Sequence, residues 1–496
     1  MTLVPLDIPA GFYRNGTDLE QSGRWRDGSL VRWRDNSLRP IGGWQERKAS
    51  FCTNVVRGMH SWEANNGTAY VAGGSYNELK AMTGGGTIYD IAPTDLATGR
   101  EDAEVETGYG YGFYGSGFYG TPIQQNANAV PEEATQWNLD NWGEYLVACN
   151  KDDGRLLEWQ LNPAVKAAAI ANAPTGNLGL VVTEERFIFA LGSGNNPRKI
   201  SWCDRENNTV WTPAATNEAG DIELADSGQI MQGVRTRGQT LILTDTSAHT
   251  ARYLGPPYVY GFERVGTSCG AISRKAASDV DMGVFWMGQR GFFRFDGNSV
   301  QEIPCDVFDY VFGDFNPAQQ SKVWSFANGQ YGEVWWFYCS ENSTEIDRYV
   351  AYDYKEGHWL IGNLSRTAGV QRGVFRYPFM AGHNSDSDIY EHEVGLNVDS
   401  SSIFAESGPI SIGAGDQVAR VTELIPDEKT QGDVNVTFKT RLYPNGAETS
   451  HGPFTTANPT SVRFTGRQVR MRVDGAILSD FRVGNMRIDM KAGGRR

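Results

Sequence analysis

Short apolar runs separated by glycine-containing turns recur along most of the chain and predict antiparallel strands. The clearest example is 284–303, V-F-W-M-G-Q-R-G-F-F-R-F-D-G-N-S-V-Q-E-I, in which two apolar runs flank 288–291 and Asp296-Gly297 precedes a third. Asp-Gly favours the positive φ angles of tight hairpins, and Phe293 and Phe295 alternate with Arg294, so the pattern predicts a three-stranded meander. Such a meander cannot bury its apolar face alone and must stack against similar units.

Comparable groups of strands recur roughly every 35 to 50 residues, the spacing of propeller blades rather than of helical repeats. They lie at 55–91, 142–159, 178–211, 230–254, 284–303, 323–362 and 373–394. Only two short segments, 163–173 and 304–312, are predicted to be helical. The chain is therefore predicted to be all-β, with a β-propeller built from four-stranded antiparallel blades.

The texture of the sequence changes after residue 395, where aromatic residues become rarer and Val, Thr and Arg more frequent. In 434–441, Val434, Val436, Phe438 and Thr440 alternate with polar residues, which indicates a strand with one buried face. We therefore predict a C-terminal antiparallel, sandwich-like β domain at 396–496. The propeller is assigned to 51–395, with a Gly/Tyr-rich inserted loop at 93–134, and 1–50 to an N-terminal arm or hairpin that contributes to the propeller or to subunit contacts.

The composition supports this picture: among 496 residues there are 58 Gly, 14 Trp, 21 Tyr and 23 Phe, which suits many short strands joined by turns. The start of the sequence has no basic region followed by a long apolar core, and no run of about 18 apolar residues occurs. We expect a soluble protein without a secretory signal or membrane insertion. The six cysteines are scattered without C-x-x-C spacing, which predicts buried, reduced thiols.

The net charge of -14 is concentrated in the middle of the chain, because both 1–50 and 420–496 carry more basic than acidic residues. An acidic middle argues against tight phosphate binding there, since affinity for nucleic acids depends on clustered Lys and Arg. It would suit a surface past which DNA slides, although solubility alone explains it equally well.

Two R-W-R-D repeats near the N-terminus, at 24–27 and 32–35, predict a hairpin with alternating Arg and Trp. Basic residues interleaved with aromatic ones could bind nucleic acid by stacking and phosphate contact. Alternatively, the arginines pair with Asp27, Asp35 or other nearby carboxylates while the Trp rings pack. We favour the second interpretation because the charges of 1–50 nearly cancel.

Few residues point to catalysis or to a bound metal. No H-x-x-x-H, G-x-S-x-G, phosphate-cradling or dinucleotide-binding motif occurs in a suitable context. Residues 204–211, D-R-E-N-N-T-V-W, resemble superficially the aspartate-box turn of sialidase-like propellers, but the spacing fits poorly. We therefore predict no catalytic, cofactor-binding or metal-binding residues, no cofactor, and a chain that is not an enzyme. The nearest candidate for a calcium or zinc site is a local cluster, for which an acidic loop is the commoner explanation: His383, Asp386, Asp388, Glu391 and His392.

Two further segments leave alternatives open. The 108–120 stretch, with Gly at nearly every second position, is an extended excursion that either contacts a partner or a passage, or is a tip without a specific role. Arginines of 467–487 could form a basic sheet face, although a solvated or subunit-paired face is the more common arrangement.

Four motifs together resemble one family. They are S-W-C-D-R-E-N-N-T-V-W-T-P at 201–213, F-W-M-G-Q-R-G-F-F-R-F-D-G at 285–297, I-P-C-D-V-F-D-Y-V-F at 303–312 and Y-D-Y-K-E-G-H-W at 352–359. These motifs resemble the propeller proteins of short-tailed bacteriophage tails, namely the tail nozzle and packaged-DNA stabilisation (tail hub) proteins. The resemblance covers most of 11–390.

The resemblance implies self-assembly into a ring, usually a homohexamer, below portal and adaptor proteins. It further implies a central channel through which double-stranded DNA passes without specific binding, and tail spikes or fibres attached nearby. We therefore expect a structural virion protein of the tail, made in the host cytoplasm, that retains packaged DNA and guides its ejection. The alternative is a receptor-binding or glycan-cleaving propeller on the same tail.

Overall fold

A computed structural model describes residues 2–105, 131–226, 228–383, 387–398, 402–412, 417–444, 446–476 and 478–494. Helical structure in these ranges is sparse: one α-helix, Phe308–Gly313, and short 3₁₀ segments that include Ser193–Asn195 and Pro317–Lys322. The helix predicted at 304–312 thus begins later than expected. The helix predicted at 163–173 is wrong, because Ala168–Ala169 pairs instead with Leu157–Trp159 at the edge of a sheet.

Seven four-stranded antiparallel sheets follow one another along the chain and form the blades of a propeller. Blade 1 contains Met59–Glu63, Ala69–Gly74, Leu79–Thr83 and Ile88–Asp90; blade 2, Trp137–Trp142, Tyr145–Asn150, Leu157–Trp159 and Ala168–Ala169; blade 3, Gly179–Val182, Ile188–Leu191, Lys199–Trp202 and Gly220–Glu223; blade 4, Ile230–Thr236, Gln239–Thr244, Ser247–Gly255 and Val259–Thr267; blade 5, Ala277–Val280, Gly283–Gly288, Gly291–Phe295 and Val300–Ile303; blade 6, Trp324–Asn328, Glu333–Tyr338, Arg348–Asp353 and His358–Asn363; blade 7, Arg366–Val370, Phe379–Gly382 and Ile389–His392. The predicted fold class is confirmed, and the blade count, which the sequence left open, is seven in the described residues.

The fourth strand of blade 7 comes from the N-terminal part of the chain. Trp44–Lys48 pairs antiparallel with Ile389–His392, with His392 opposite Trp44 and Glu391 opposite Gln45. The first strand of each blade neighbours the first strands of the two adjacent blades, including those of blades 7 and 1. The N-terminal strand therefore completes a closed ring in which no blade is left with three strands.

Blades are held together by apolar clusters between neighbouring sheets and by tryptophans that reach across. Trp62 of blade 1 donates from Nε1 to the Glu144 carbonyl in blade 2 at 2.9 Å. Trp324 of blade 6 donates to the Arg366 carbonyl in blade 7 at 2.8 Å. A buried indole contributes a large apolar surface but needs a partner for its N–H, and these backbone carbonyls supply it.

Two further antiparallel sheets combine the C-terminal strands with strands from 1–50. One contains Thr2–Pro5, Arg487–Ala492, Ala419–Ile425 and Thr460–Gly466; the other contains Trp25–Ser29, Phe404–Ser407, Ile410–Ser411, Gln468–Gly475, Val434–Arg441 and Thr449–Thr455. Phe438 and Phe464 join the two sheets, with ring centroids 4.9 Å apart. The assignment of 396–496 as a separate domain stays a prediction, as does the boundary at 51.

The N-terminal segment does not fold as the R-W-R-D repeat predicted. Trp25–Ser29 pairs with Phe404–Ser407, and the hairpin is formed by Val31–Arg34 with Ser37–Pro40. A positive φ at Asp35 and Asn36 permits the tight turn of that hairpin. A single apolar cluster then runs from blades 5 and 6 through the N-terminal residues to the C-terminal sheets.

A separate two-stranded sheet pairs Glu104–Val105 with Pro131–Glu132.

Candidate functional site

The inner strands of the blades surround a cavity at the centre of the propeller. Its narrow part has a volume of about 170 Å³, and an adjoining wider part has a volume of about 480 Å³. Because a water molecule takes up about 30 Å³ in the liquid, the narrow part holds on the order of six waters. The polar and charged residues that line the cavity include Arg57, His60, Gln136, Asp140, Gln232, Arg235, Lys275, Asp279 and Arg372.

Hydrogen bonds between neighbouring blades fix two of these side chains, Gln232 and Asp140. The Gln232 side chain of blade 4 donates to the Ala277 carbonyl of blade 5 at 3.0 Å and accepts from the Ala277 N–H at 2.9 Å. Asp140 Oδ2 of blade 2 accepts from the Val182 N–H of blade 3 at 3.0 Å. At Gln232 and Asp140 the cavity wall is therefore a preorganised polar surface.

The cavity holds titratable groups whose pKa values differ from those in water. Burial lowers the pKa of Lys275 to about 8, against the opposing attraction of Asp140. Partial desolvation raises the pKa of Asp279 to about 6, with Arg237 opposing, and burial lowers the pKa of His60. A lysine with such a pKa is neutral in part of the molecules near pH 8 and can then accept a proton or attack a carbonyl. The cavity can accordingly hold a small polar molecule beside an amine and two carboxylates.

The hairpin formed by the last two strands of blade 4 is a second feature of note. Ser247–Gly255 and Val259–Thr267 have nine residues each, whereas other blades use shorter strands. Its base is braced against blade 3, since the Tyr260 hydroxyl bonds to Thr183 and Glu185 at 2.9 and 3.0 Å. Its tip is apolar and open to solvent, with Leu254 61% and Tyr258 78% exposed. A rigid hairpin with an exposed apolar tip is suited to contact another protein.

The N-terminal arginines are engaged in ion pairs. Arg32 lies between the carboxylates of Glu333 and Glu393, and Arg26 pairs with Asp18 at 3.1 Å. The indoles of Trp25 and Trp33 are buried. This arrangement agrees with the interpretation that needs no nucleic acid, although the partner carboxylates are mostly distant in sequence from the repeat.

The 383–392 group, which the sequence offered only as the nearest candidate for a metal site, is divided between different environments, and Asp386 lies outside the described residues. His392 is buried in blade 7 and accepts from Arg366 Nε at 2.8 Å, whereas Glu391 lies 3.6 Å from Arg47. The structure instead brings together Asp353, Glu356 and His358, whose ligand atoms lie within 4.8 Å of one another. This group was not predicted from the sequence, although it lies in the Y-D-Y-K-E-G-H-W motif.

Of the other candidate segments, the structure describes the surroundings of the C-terminal arginines and of the 204–211 segment. Arg470 pairs with Asp18 and Glu448, and Arg472 with Asp474, so these arginines do not form a free basic face. Asp204 Oδ1 accepts from the Glu218 N–H at 2.8 Å and thereby closes the 204–218 loop. The Gly/Tyr-rich stretch 108–120 lies outside the described residues.

All six cysteines are free, as predicted, and five of them are buried. Burial raises the pKa of Cys269 to about 11, so this thiol is protonated at neutral pH. No helix among the described residues has the length and apolar character needed to span a bilayer.

Comparison with known proteins yields structural matches but no sequence family. No family model matches the chain, and no curated protein matches it. Matching solved structures include a virginiamycin B lyase from Staphylococcus aureus, with 8% identity over 71% of this chain and 98% of the lyase and a TM-score of 0.42. They also include a streptogramin B lyase (10%, 71% and 97%, TM-score 0.44) and the β-propeller domain of Cps50 (Swd1) from Myceliophteria thermophila (8%, 71% and 99%, TM-score 0.37).

These matches correct one prediction from the sequence. The chain was expected not to be an enzyme because it lacks familiar catalytic motifs. The matching structures include virginiamycin B lyase and streptogramin B lyase, which are enzymes, so the expectation is wrong and the architecture gives no ground for excluding catalysis. At these identities and TM-scores, no substrate or catalytic residue carries over to this chain.

Proposed function

We propose that this protein is a ring-forming component of a bacteriophage tail, at the nozzle or hub position, which retains packaged DNA and guides its ejection. The proposal rests on the four sequence motifs that resemble tail nozzle and hub proteins. Virion location, the neighbouring portal, adaptor and spike or fibre proteins, and a homohexameric ring are parts of this proposal.

The observation that carries the proposal is the convergence of three of these motifs in one region. The 303–312 segment follows the last strand of blade 5, and Trp359, at the end of the 352–359 motif in blade 6, donates to the Pro304 carbonyl at 2.9 Å. The 285–297 motif forms the middle strands of blade 5, whose Phe292 packs 4.6 Å from the Trp359 ring. Motifs that pack on one another support a family resemblance more strongly than the same motifs scattered over a surface would.

The size of the central cavity restricts how such a conduit could be built. DNA, whose major groove alone is about 12 Å wide, cannot thread a passage that holds a few water molecules. In the proposed ring, the DNA passage therefore lies between several copies and not through the centre of one propeller. The acidic character of the chain favours low affinity for the phosphates that pass.

The projecting hairpin of blade 4 supports assembly, because its apolar tip offers a contact for a neighbouring subunit. A hub built from such contacts would position its propellers around a common axis.

Electron microscopy and light scattering test the proposal. Purified protein is expected to form closed rings of uniform mass, and virions that carry an epitope-labelled chain are expected to bind antibody at the tail. A protein that stays monomeric at micromolar concentration and is absent from the tail would overturn the proposal.

A further inference from the structure

The turn between the last two strands of blade 6 carries three potential metal ligands. Asp353 ends one strand and His358 begins the next, and the two residues are directly opposite each other in the ladder. Residues paired in this way point to the same face of a sheet. Glu356 lies in the intervening turn, which Gly357 completes with a φ of 78°.

The turn orients the Asp353 carboxylate. Its Oδ1 accepts from the N–H groups of Lys355 and Glu356 at 2.8 and 2.9 Å. Among the described residues its Oδ2 has no hydrogen-bond partner, although Asp353 is only 1% exposed. A buried carboxylate oxygen without a hydrogen bond is unfavourable unless a cation compensates it.

His358 supplies an independent second observation. This residue is 6% exposed, and its Nε2 has no hydrogen-bond partner in the described part of the chain. Its Nδ1 lies 4.0 Å from Glu356 Oε2, which is beyond hydrogen-bond distance.

We propose that Asp353, Glu356 and His358 bind a divalent transition metal, for which Zn²⁺ is the probe of choice. One nitrogen and two carboxylate oxygens are a ligand set that Zn²⁺ accepts, and water would complete the coordination. Ligands about 2.1 Å from one metal ion lie about 3.4 Å apart, so atoms now within 4.8 Å must approach by about 1 Å. The exposed Glu356 side chain can supply most of this movement.

Arg34 is the competing cation at this position. Its Nη1 lies 3.9 Å from both Asp353 Oδ2 and Glu356 Oε1, too far for a hydrogen bond, while its Nη2 donates to the Tyr331 carbonyl. The guanidinium therefore partly balances the two carboxylates without occupying the position between all three ligands. Removing Arg34 should strengthen metal binding, because a positive charge that repels the ion is then absent.

The experiment uses the full-length, tag-free chain after treatment with a chelator. Calorimetric titration with Zn²⁺ is expected to show one ion per chain at this site, and Co²⁺ is expected to give visible absorption bands. Glu356→Gln and His358→Gln should each raise the Kd for Zn²⁺ at least about tenfold. Arg34→Ala should lower it, and Zn²⁺ should raise the Tm of the wild-type protein.

Glu341→Gln is the matched control, since Glu341 is an exposed glutamate in another turn of blade 6. Circular dichroism of each variant establishes that it is folded. Glu356→Gln is the main test variant, because Glu356 is exposed and its replacement should not disturb the fold. Absence of stoichiometric Zn²⁺ binding by the wild-type chain would overturn the proposal. Binding that is equally tight in Glu356→Gln and His358→Gln would overturn it as well, because the ion would then lie elsewhere.

Discussion

The Arg32 guanidinium lies between two buried carboxylates and joins the N-terminal hairpin to the propeller. It donates to Glu393 Oε1 at 2.6 Å and to Glu333 Oε2 at 3.1 Å, and its guanidinium carbon lies 3.7 Å from the centre of the Tyr331 ring. Burial raises the pKa of Glu333 to about 7 despite Arg32, and Glu393 adds to the rise. The two carboxylates tolerate burial because this one cation serves both.

Replacement of Arg32 should therefore be costly. In Arg32→Met, two buried carboxylates lose their counter-charge, so we expect the free energy of unfolding to fall by about 3 to 5 kcal/mol. Urea denaturation followed by tryptophan fluorescence measures this loss. Arg24→Met, which breaks a partly exposed pair with Asp306, is the control and should cost less than about 1 kcal/mol. Equal losses in both variants would contradict the role assigned to Arg32.

Lys275 shows the opposite case, a cation that the fold disfavours. Its pKa of about 8 is below the ordinary value of 10.5, so the unfolded chain binds the proton more tightly than the folded one. The resulting penalty is fully present below pH 8 and disappears as the pH rises through 10.5. Lys275→Met should stabilise the protein by about 1 to 3 kcal/mol at pH 7 and by much less at pH 10.5.

Thermal unfolding at the two pH values measures this difference. Lys429→Met, at an exposed position, should change the Tm little at either pH. A gain from Lys275→Met that does not depend on pH would mean that Lys275 titrates normally.

At the scale of single elements, the strand Trp44–Lys48 completes blade 7, a role that its own sequence does not predict. The stretch W-Q-E-R-K is polar and short, and its partner Ile389–His392 lies far away in the chain. Local patterns do not encode such a pairing. Ala277–Val280 was missed for a similar reason, because A-S-D-V has one strongly apolar residue and is recognisable as a strand only beside Gly283–Gly288.

Strands that are bounded at both ends by clear turn residues were predicted well. The apolar runs predicted at 284–287 and 292–295 correspond to Gly283–Gly288 and Gly291–Phe295, because the turn residues around them define both ends. In Val434–Arg441 the alternation of buried and partly exposed residues also follows the prediction. The Asp353, Glu356 and His358 group has no recognisable motif spacing, and it becomes a ligand set only once the hairpin pairs Asp353 with His358.

An engineered disulfide tests the position of the closing strand. Gln45 and Glu391 are directly opposite each other, so Gln45→Cys with Glu391→Cys should form a crosslink on oxidation and stabilise the protein by about 2 to 4 kcal/mol. The native cysteines are mostly buried and should not interfere. Electrophoresis without reductant and thermal unfolding give the readouts.

The control pair is Gln45→Cys with Tyr390→Cys. Neighbouring residues of a strand point to opposite faces, so this pair should not crosslink efficiently. Equal crosslinking in both pairs, or none in the first, would show that the strand does not occupy this register.

For the whole molecule, the main distinction is between the closed ring of blades within one chain and the proposed ring of chains. The first is described by the sheet pairing, and its central cavity is only wide enough for small molecules. The second needs surfaces that bind other copies. The tip of the blade 4 hairpin is the apolar feature that we expect to serve this purpose.

Substitutions at the tip test that expectation. Leu254→Ser with Tyr258→Ser removes two exposed apolar side chains without disturbing the base of the hairpin, so the fold should persist while ring formation is reduced at least about tenfold. Light scattering coupled to gel filtration measures the mass. Val165→Ser, at an exposed position of the blade 2 region, is the control. Rings that form equally well in the double variant would exclude the hairpin from the subunit contact.

The origin of the last blade's fourth strand has a consequence for biosynthesis. The ribosome makes Trp44–Lys48 early, and its partner Ile389–His392 emerges roughly 340 residues later, which takes on the order of 20 to 70 s. In a nascent chain that stalls in this interval, Trp44–Lys48 has not yet met its partner strand, and unpaired strand edges recruit other unfinished chains into aggregates.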